Sequence, residues 1–553
     1  MTTLPDRLTS QRQRSTIRLL LGAGMLALSA LACSRPAPPV PDEEQLFRFR
    51  LREDPPTLDP ALSTDNLSEA VVMNLFRGLV FMDPETLGVR PAVASSWTIS
   101  DDRLRYVFSL RDDVRFHNGR RVTADDVRYS FERLLRKEIN SPRRFVLDPV
   151  AGAAAFTAGE SNTIAGLEVI DERTVTLRLE KPFAPFLAML SMAAAALVPR
   201  EVYDDPQRRY LRAPVGCGPF RLTGWEQSNF IELRAFDEYF AGRPNLDRVV
   251  VRIIENRESA LQEYRAGGLD SLDEPPGPET GEVYAELRDE VLRFPYIATG
   301  YIGFNTALPP FRDNATLRKA FNYAVDKDYL WNVLMPGGNT AARGIIPPGI
   351  PGYDETLPGY PHDPERARRL LAEAGYPGGV GLPDVTLWVN TSEDNRRIAQ
   401  QVQADLRTIG VALEIREVDW GAYMAAVAGT AEQPGEAQMF RFGWFLDYPD
   451  ADAILRMTLH SDNIGPLGNF FRYDNPEFDR LVDEALLLTD PDARAALYRE
   501  AERVAVMDDA VWLFLNYYES STLFKPYVKG IVPTPLGEFR IPLELLRIEI
   551  PQH

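Results

Sequence analysis

The stretch from residue 385 to residue 418 limits the possible folds more than any other part of the chain. Val385-Thr-Leu-Trp-Val389 is an apolar run of the kind a strand covered on both faces needs, and Ile398, Val402, Leu406 and Ile409 then fall on one helical face. Gly410 ends the helical pattern, and Val411, Leu413 and Ile415 alternate as a second strand. Strand, helix and strand in such close succession predict a βαβ unit with parallel strands and a right-handed crossover. A parallel sheet must be covered by helices, so this unit places the chain in the α/β class.

At 553 residues the chain exceeds what one hydrophobic core usually supports, and about three structural units are expected. The formal net charge is −19, and residues 1–32 hold four Arg against one Asp, so the remainder carries about −22. Such a surface is a poor match for nucleic acid or for anionic membrane.

The N-terminus reads as an export signal. Arg7, Arg12, Arg14 and Arg18 precede an apolar run from Leu19 to Ala32, which at fourteen residues is short for a membrane span. The run ends in Ala30-Leu31-Ala32-Cys33, which resembles the lipobox of bacterial lipoproteins, in which the cysteine is acylated. Residues 33–45 then hold the lipidated Cys and a Pro-rich tether, in which 34–44, with Pro36, Pro38, Pro39 and Pro41, read as an extended segment of about 30 Å. Cys217 is the one other cysteine, and with Cys33 modified no disulfide framework is available.

Along the rest of the chain, Leu46 to Leu51 alternates as a half-buried strand and Leu67 to Leu79 has helical character ending at Gly78. Tyr106 to Leu110 reads as a strand before a turn at Asn118-Gly119, Thr123 as the cap of a helix, and Phe220 through Val251 as a compact β unit. Phe186 to Val198 is apolar but bracketed by Pro182, Pro185 and Pro199, and is expected to be a buried helix.

Markers of catalysis are missing. The four histidines, at 117, 362, 460 and 553, lack metal-ligand spacing, and there is no Walker A loop, G-x-S-x-G elbow or G-x-G-x-x-G. Asp447, Asp450 and Asp452 do not have the spacing of a calcium loop. A glycosidase using paired carboxylates is a secondary alternative. The expectation is a protein that is not an enzyme and has neither catalytic residues, cofactor nor metal.

Several motifs follow one another in an order that resembles the family 5 extracellular solute-binding proteins, the peptide and nickel binders. They are Asp54-Pro-Pro-Thr-Leu-Asp-Pro60, Leu75-Phe-Arg-Gly-Leu79, Ser96-Trp97, Phe116-His-Asn-Gly119, Thr123-Ala-Asp-Asp-Val127, Val215-Gly-Cys-Gly-Pro-Phe220, Tyr301-Ile-Gly-Phe-Asn305, Leu317-Arg-Lys-Ala-Phe321 and Ala372-Glu-Ala-Gly-Tyr376. The resemblance runs from about residue 46 to the C-terminus and implies a two-lobed periplasmic-binding-protein-like fold with the ligand cleft between the lobes. It implies a first lobe whose main part is residues 46–85, 210–300 and 525–553, with an extra subdomain at 86–209, and a second lobe at 301–524. The chain would cross between lobes near Tyr301–Asn305 and again near Tyr517–Phe524.

The closest resemblance is to the oligopeptide-binding branch of ABC importers, because Arg441-Phe-Gly-Trp-Phe-Leu-Asp-Tyr-Pro449 is similar to its ligand-binding segment. That similarity implies Asp447 as acceptor of a peptide α-ammonium, Arg441 as partner of a free carboxylate, and Gly443 and Phe445 as main-chain partners in strand addition. It implies Trp420 and Trp444 as pocket walls, and Thr64, Asn66 and Tyr518 as further contacts. The physical requirement is independent of the resemblance: a zwitterion enclosed in a cleft needs an opposite charge at each end. Asn395 and Val427 stand where the branch has basic residues, which leaves peptide length open. The implied partners are short peptides and the permease and ATPase subunits of an importer, with the protein a monomer in the periplasm or at the outer cell surface. The membrane would be reached through the lipid on Cys33 alone. Another solute, such as a metallophore, an oligosaccharide or an opine, is the main alternative.

Overall fold

The computed structural model describes residues 44–549 except 208, 274–279, 337, 431, 467 and 538–539. The export signal, Cys33 and most of the tether lie outside the described residues.

Three sheets organise the chain. The first takes Leu46–Leu51 at one edge, parallel to Arg248–Ile253, which continues antiparallel into Phe230–Ala235 and Phe220–Glu226. Leu46–Leu51 occupies the span its alternation predicts: Phe47 and Leu51 are buried in the core. Arg50 is buried as well and Arg48 half-buried, and each has an acidic partner, Arg48 with Asp270 at 3.0 Å and Arg50 with Asp273 at 3.3 Å. A second, antiparallel sheet orders Ala94–Ile99, Arg105–Leu110, Thr174–Arg178 and Leu167–Asp171. The helix Ala124–Leu135 has contacts with its last two strands.

The third sheet carries the βαβ unit. Val385–Asn390 pairs in parallel with Leu413–Val418, and the helix Glu393–Thr408 between them buries Ile398, Val402 and Leu406. The sheet continues through Met439–Phe445 to two long strands, Val291–Phe304 and Trp512–Phe524, which pair antiparallel. Their register is interrupted between Pro295 and Thr299 and again between Gly300 and Tyr301. At their centre the rings of Tyr301 and Trp512 stack with centroids 3.7 Å apart. The architecture is α/β with two lobes, as the motif order implies.

Two sequence motifs meet at the end of the helix Asn66–Leu75. His117 accepts the N–H of Gly216 at Nδ1 and donates from Nε2 to the carbonyl of Gly218, so its ring is neutral, and burial pushes its pKa down to about 4. Gly218 N–H in turn donates to the carbonyl of Leu75, the last residue of the helix Asn66–Leu75. A Cβ on Gly218 would lie 2.5 Å from the Leu75 carbonyl carbon, closer than any side chain can stand. The helix therefore ends at Leu75, three residues before the predicted stop at Gly78.

One expectation is corrected. Phe186 to Val198 is not one buried helix but a single turn at Phe186–Met189, a break, and a 3₁₀ turn at Ala193–Ala195. Ser191 donates its hydroxyl to the Ala188 carbonyl, a local bond that competes with helix continuation, and Leu197 N–H reaches the Arg77 carbonyl instead of its own helix. Among the described residues no helix is long and apolar enough to cross a membrane.

Candidate functional site

The strand Met439–Phe445 has an incomplete ladder. On one side it pairs with Val291–Phe304, where Asn305 N–H donates to the Gln438 carbonyl and Leu446 N–H to the Ile297 carbonyl. In an antiparallel pair alternate residues exchange both bonds, so Phe442, Trp444 and Leu446 turn their backbone groups toward Val291–Phe304 and Arg441, Gly443 and Phe445 turn theirs away. On that other side Val385–Asn390 pairs only with Met439 and Phe440. The Arg441 carbonyl is taken by the Tyr423 hydroxyl. The N–H and C=O of Gly443 and Phe445 therefore face away from the sheet, and no described strand pairs with them.

This open edge lines a cleft of about 350 Å³ whose walls include Gly443, Trp444, Phe445, Leu446 and Asp447 on one side and Thr64, Asn66, Glu69, Pro142, Arg143 and Arg540 on the other. The helix Asn66–Leu75 positions the second of these walls, with Asp65 at its N-cap accepting Ser68 N–H at 2.9 Å. Thr64 and Asn66 are exposed at its mouth. Trp444 is fixed by its indole N–H to the Ala453 carbonyl at 2.8 Å. Phe445 is 48% exposed and packs edge-on against Tyr296.

Charge in the cleft is arranged in two pairs, one across it and one within the wall that Glu69 and Arg540 share. Asp447 Oδ1 meets Arg143 Nη1 at 2.5 Å, and Glu69 meets Arg540 at 2.5 Å. Arg143 also donates from Nε to the Ser63 carbonyl at 3.2 Å and from Nη2 to the Thr64 carbonyl at 3.3 Å.

Arg441 lies behind this surface, buried to 6% exposure, and does not line the cleft. Its Nη2 donates to the Tyr518 hydroxyl at 2.9 Å and its Nη1 to the carbonyls of Tyr301 and Phe442. Among the described residues no carboxylate forms an ion pair with it. Nearby, the amide of Asn516 and the hydroxyl of Tyr301 are buried without hydrogen-bond partners. Burial raises the pKa values of Tyr301 and Tyr423, so both stay neutral phenols that cannot balance the guanidinium. Tyr518 lies across Gly443, where a Cβ would come within 2.5 Å of its hydroxyl oxygen. Glycine at 443 thus opens the strand edge and lets Tyr518 stand between Arg441 and the cleft.

Of the residues singled out in sequence, Thr64, Asn66, Gly443, Trp444, Phe445 and Asp447 share the cleft, with Tyr518 and Arg441 directly behind Gly443. Trp420 does not line it. It is 56% exposed and stacks on Tyr423 at the start of the helix Trp420–Ala428. Arg143, Glu69 and Arg540 were not foreseen, because each matters only through a partner hundreds of residues away, and no local pattern signals such a pair. Among the described residues no group of three or more His, Cys, Asp or Glu side chains is placed to hold a metal ion.

Comparison with known proteins gives a consistent result. The sequence profile of the bacterial extracellular solute-binding proteins, family 5, matches residues 88–466. Heme-binding protein A of Haemophilus influenzae is 33% identical, over 89% of this chain and 90% of its own. The glutathione-binding protein GsiB of Salmonella typhimurium is 30% identical, over 83% of this chain and 86% of its own. The structure of the Escherichia coli murein tripeptide binding protein MppA superposes with a TM-score of 0.75 at 26% identity, covering 92% of this chain and 99% of the other.

Proposed function

The chain belongs to the bacterial extracellular solute-binding proteins of family 5, and from that premise we propose that it captures short peptides outside the cytoplasm and hands them to an ABC importer. The observation that carries the reading is the open edge at Gly443 and Phe445. A peptide lying there as an added strand bonds its main chain to groups that have no other partner, whatever its side chains are. Affinity then comes from the backbone, and the cleft walls set selectivity.

Asp447 receives the peptide's α-ammonium, and Arg441, through or past Tyr518, draws the far carboxylate. Trp444 and Phe445 offer flat apolar walls to side chains, with Thr64 and Asn66 facing them from the first lobe. Closure brings the lobes together by bending at the two long strands, near the register break between Pro295 and Thr299, and the ligand bridges both walls. The protein acts as a monomer that binds and releases, without chemical conversion of the ligand. Acylated Cys33 and the Pro-rich segment keep it close to the permease and its ATPase subunits.

Mass spectrometry of ligands released from gently purified protein tests the reading. Short peptides of mixed sequence are expected. A single sugar or metal chelate would refute peptide capture, and turnover of a glycoside would point to an enzyme.

A further inference from the structure

The sheet beneath the cleft encloses a charge that no described residue balances. Gly443 stands opposite Gly300, and Gly300 opposite Asn516, so the three share one face of the sheet, with Arg441 and Tyr518 two residues along the outer strands. Neither glycine has a side chain, and polar groups meet above them. A Cβ on Gly300 would fall against the Asn516 amide and 3.1 Å from Arg441 Nη2. Asn516 is fully buried and Arg441 is 6% exposed. The printed bonds of the guanidinium go to two carbonyls and the Tyr518 hydroxyl, all neutral, while its Nε and both amide atoms of Asn516 are buried without partners.

Neutral acceptors and water can solvate a guanidinium but cannot cancel its charge, and an enclosed charge without a counterion is strongly unfavourable. The donors left over suit a small anion. The Tyr518 hydroxyl accepts from Arg441 Nη2 at 2.9 Å, which leaves its own proton to donate. The amide of Asn516 carries two N–H donors, and a flip of its end exchanges nitrogen and oxygen, so Nδ2 can take the place that faces Arg441. Arg441 adds its Nε–H. Donors of three residues thus surround one positive charge, which a monovalent anion balances and a phosphate would exceed.

Resting on the peptide reading above, we propose that Arg441, Asn516 and Tyr518 hold a chloride ion in the unliganded protein, and that the carboxylate of an arriving peptide takes its place. Each peptide bound through its carboxylate then releases one chloride. Chloride outside the cytoplasm is therefore a competitor that sets the working affinity for peptides.

The test is calorimetric titration with tri-alanine and with its C-terminal amide, which has no carboxylate to exchange. Ionic strength is held constant while chloride is replaced by isethionate, a bulkier monovalent anion, so general screening does not change. Tri-alanine is expected to bind at least about fivefold more tightly when chloride falls from about 200 mM to about 2 mM, and the amide to change by less than about twofold. A tri-alanine affinity indifferent to chloride overturns the proposal, and so does an equal change for both peptides, because chloride then acts away from the carboxylate. The chloride NMR linewidth reads the ion directly. The wild-type protein is expected to broaden it, and saturating tri-alanine to reverse the broadening. Asn516→Leu, which keeps the size and removes the amide, is expected to abolish it. Broadening undiminished in folded Asn516→Leu, or by saturating tri-alanine, overturns the proposal. If neither peptide binds, the peptide reading fails, and the linewidth still decides the ion: broadening that Asn516→Leu abolishes sustains the site, and no broadening by the wild type overturns it.

Discussion

At the scale of single residues, ligand binding depends on which charges are enclosed and what faces them. Asp447 could be singled out in sequence because it sits in the run Gly-Trp-Phe-Leu-Asp, and the structure places it in the cleft wall. Its partner Arg143 could not, because the pair spans 304 positions and nothing in Ser141-Pro142-Arg143-Arg144 marks it. Arg441 was legible as a cation of interest but not as one screened by Tyr518, since that screening depends on the absence of a side chain at Gly443. Replacing Asp447 by Asn keeps the size and removes the charge that would face an ammonium. A hydrogen bond to a charged group contributes roughly 1.5–3 kcal/mol, so calorimetry should show free tripeptides binding at least about tenfold more weakly. N-acetylated tripeptides should lose far less, and equal losses for both would remove Asp447 from that role.

At the scale of elements, period and punctuation carried most of the information. Leu46–Leu51 and the βαβ unit at 385–418 stand where alternation and helical spacing put them, because in each the buried face is written in the sequence. Phe186 to Val198 misled for the opposite reason: it is apolar all round and so has no face to read, and the path is set by hydrogen bonds to Arg77 and within the segment. The motifs around His117 and Gly218 proved to be a clamp on the end of the Asn66–Leu75 helix, which itself carries part of the cleft wall. This clamp predicts a pH dependence. The folded pKa of His117 is lowered from its ordinary value to about 4, so the folded state holds the proton less firmly than the unfolded chain. The stability it contributes is present above pH 6.5 and is lost as pH falls through about 4, on the order of 1–2 kcal/mol for a partly enclosed imidazole. Thermal unfolding of wild type and His117→Gln should differ most at neutral pH, and the gap should narrow toward pH 4. A gap independent of pH would mean that the ring is not held neutral.

At the scale of the whole molecule, the motif order implied two lobes and a family, and both hold, whereas the division of the chain among the lobes is a matter of strand pairing between distant segments that composition does not encode. Val291–Phe304 and Trp512–Phe524 show why: each is one continuous strand, and only their mutual register reveals the break at Pro295 and Thr299. The reading of the N-terminus predicts that Cys33→Ser releases the protein from membranes, and equal retention of mutant and wild type in the membrane fraction would discard the lipid anchor.

The central claim is that a short peptide joins the open edge of Met439–Phe445 inside the cleft. Hydrogen exchange read by mass spectrometry, with and without a saturating tripeptide, measures it at the backbone groups concerned. Slower exchange across residues 441–447 is expected on binding, because Gly443 and Phe445 N–H groups acquire acceptors. A tripeptide bound tightly with exchange across 441–447 unchanged would contradict strand addition at this edge.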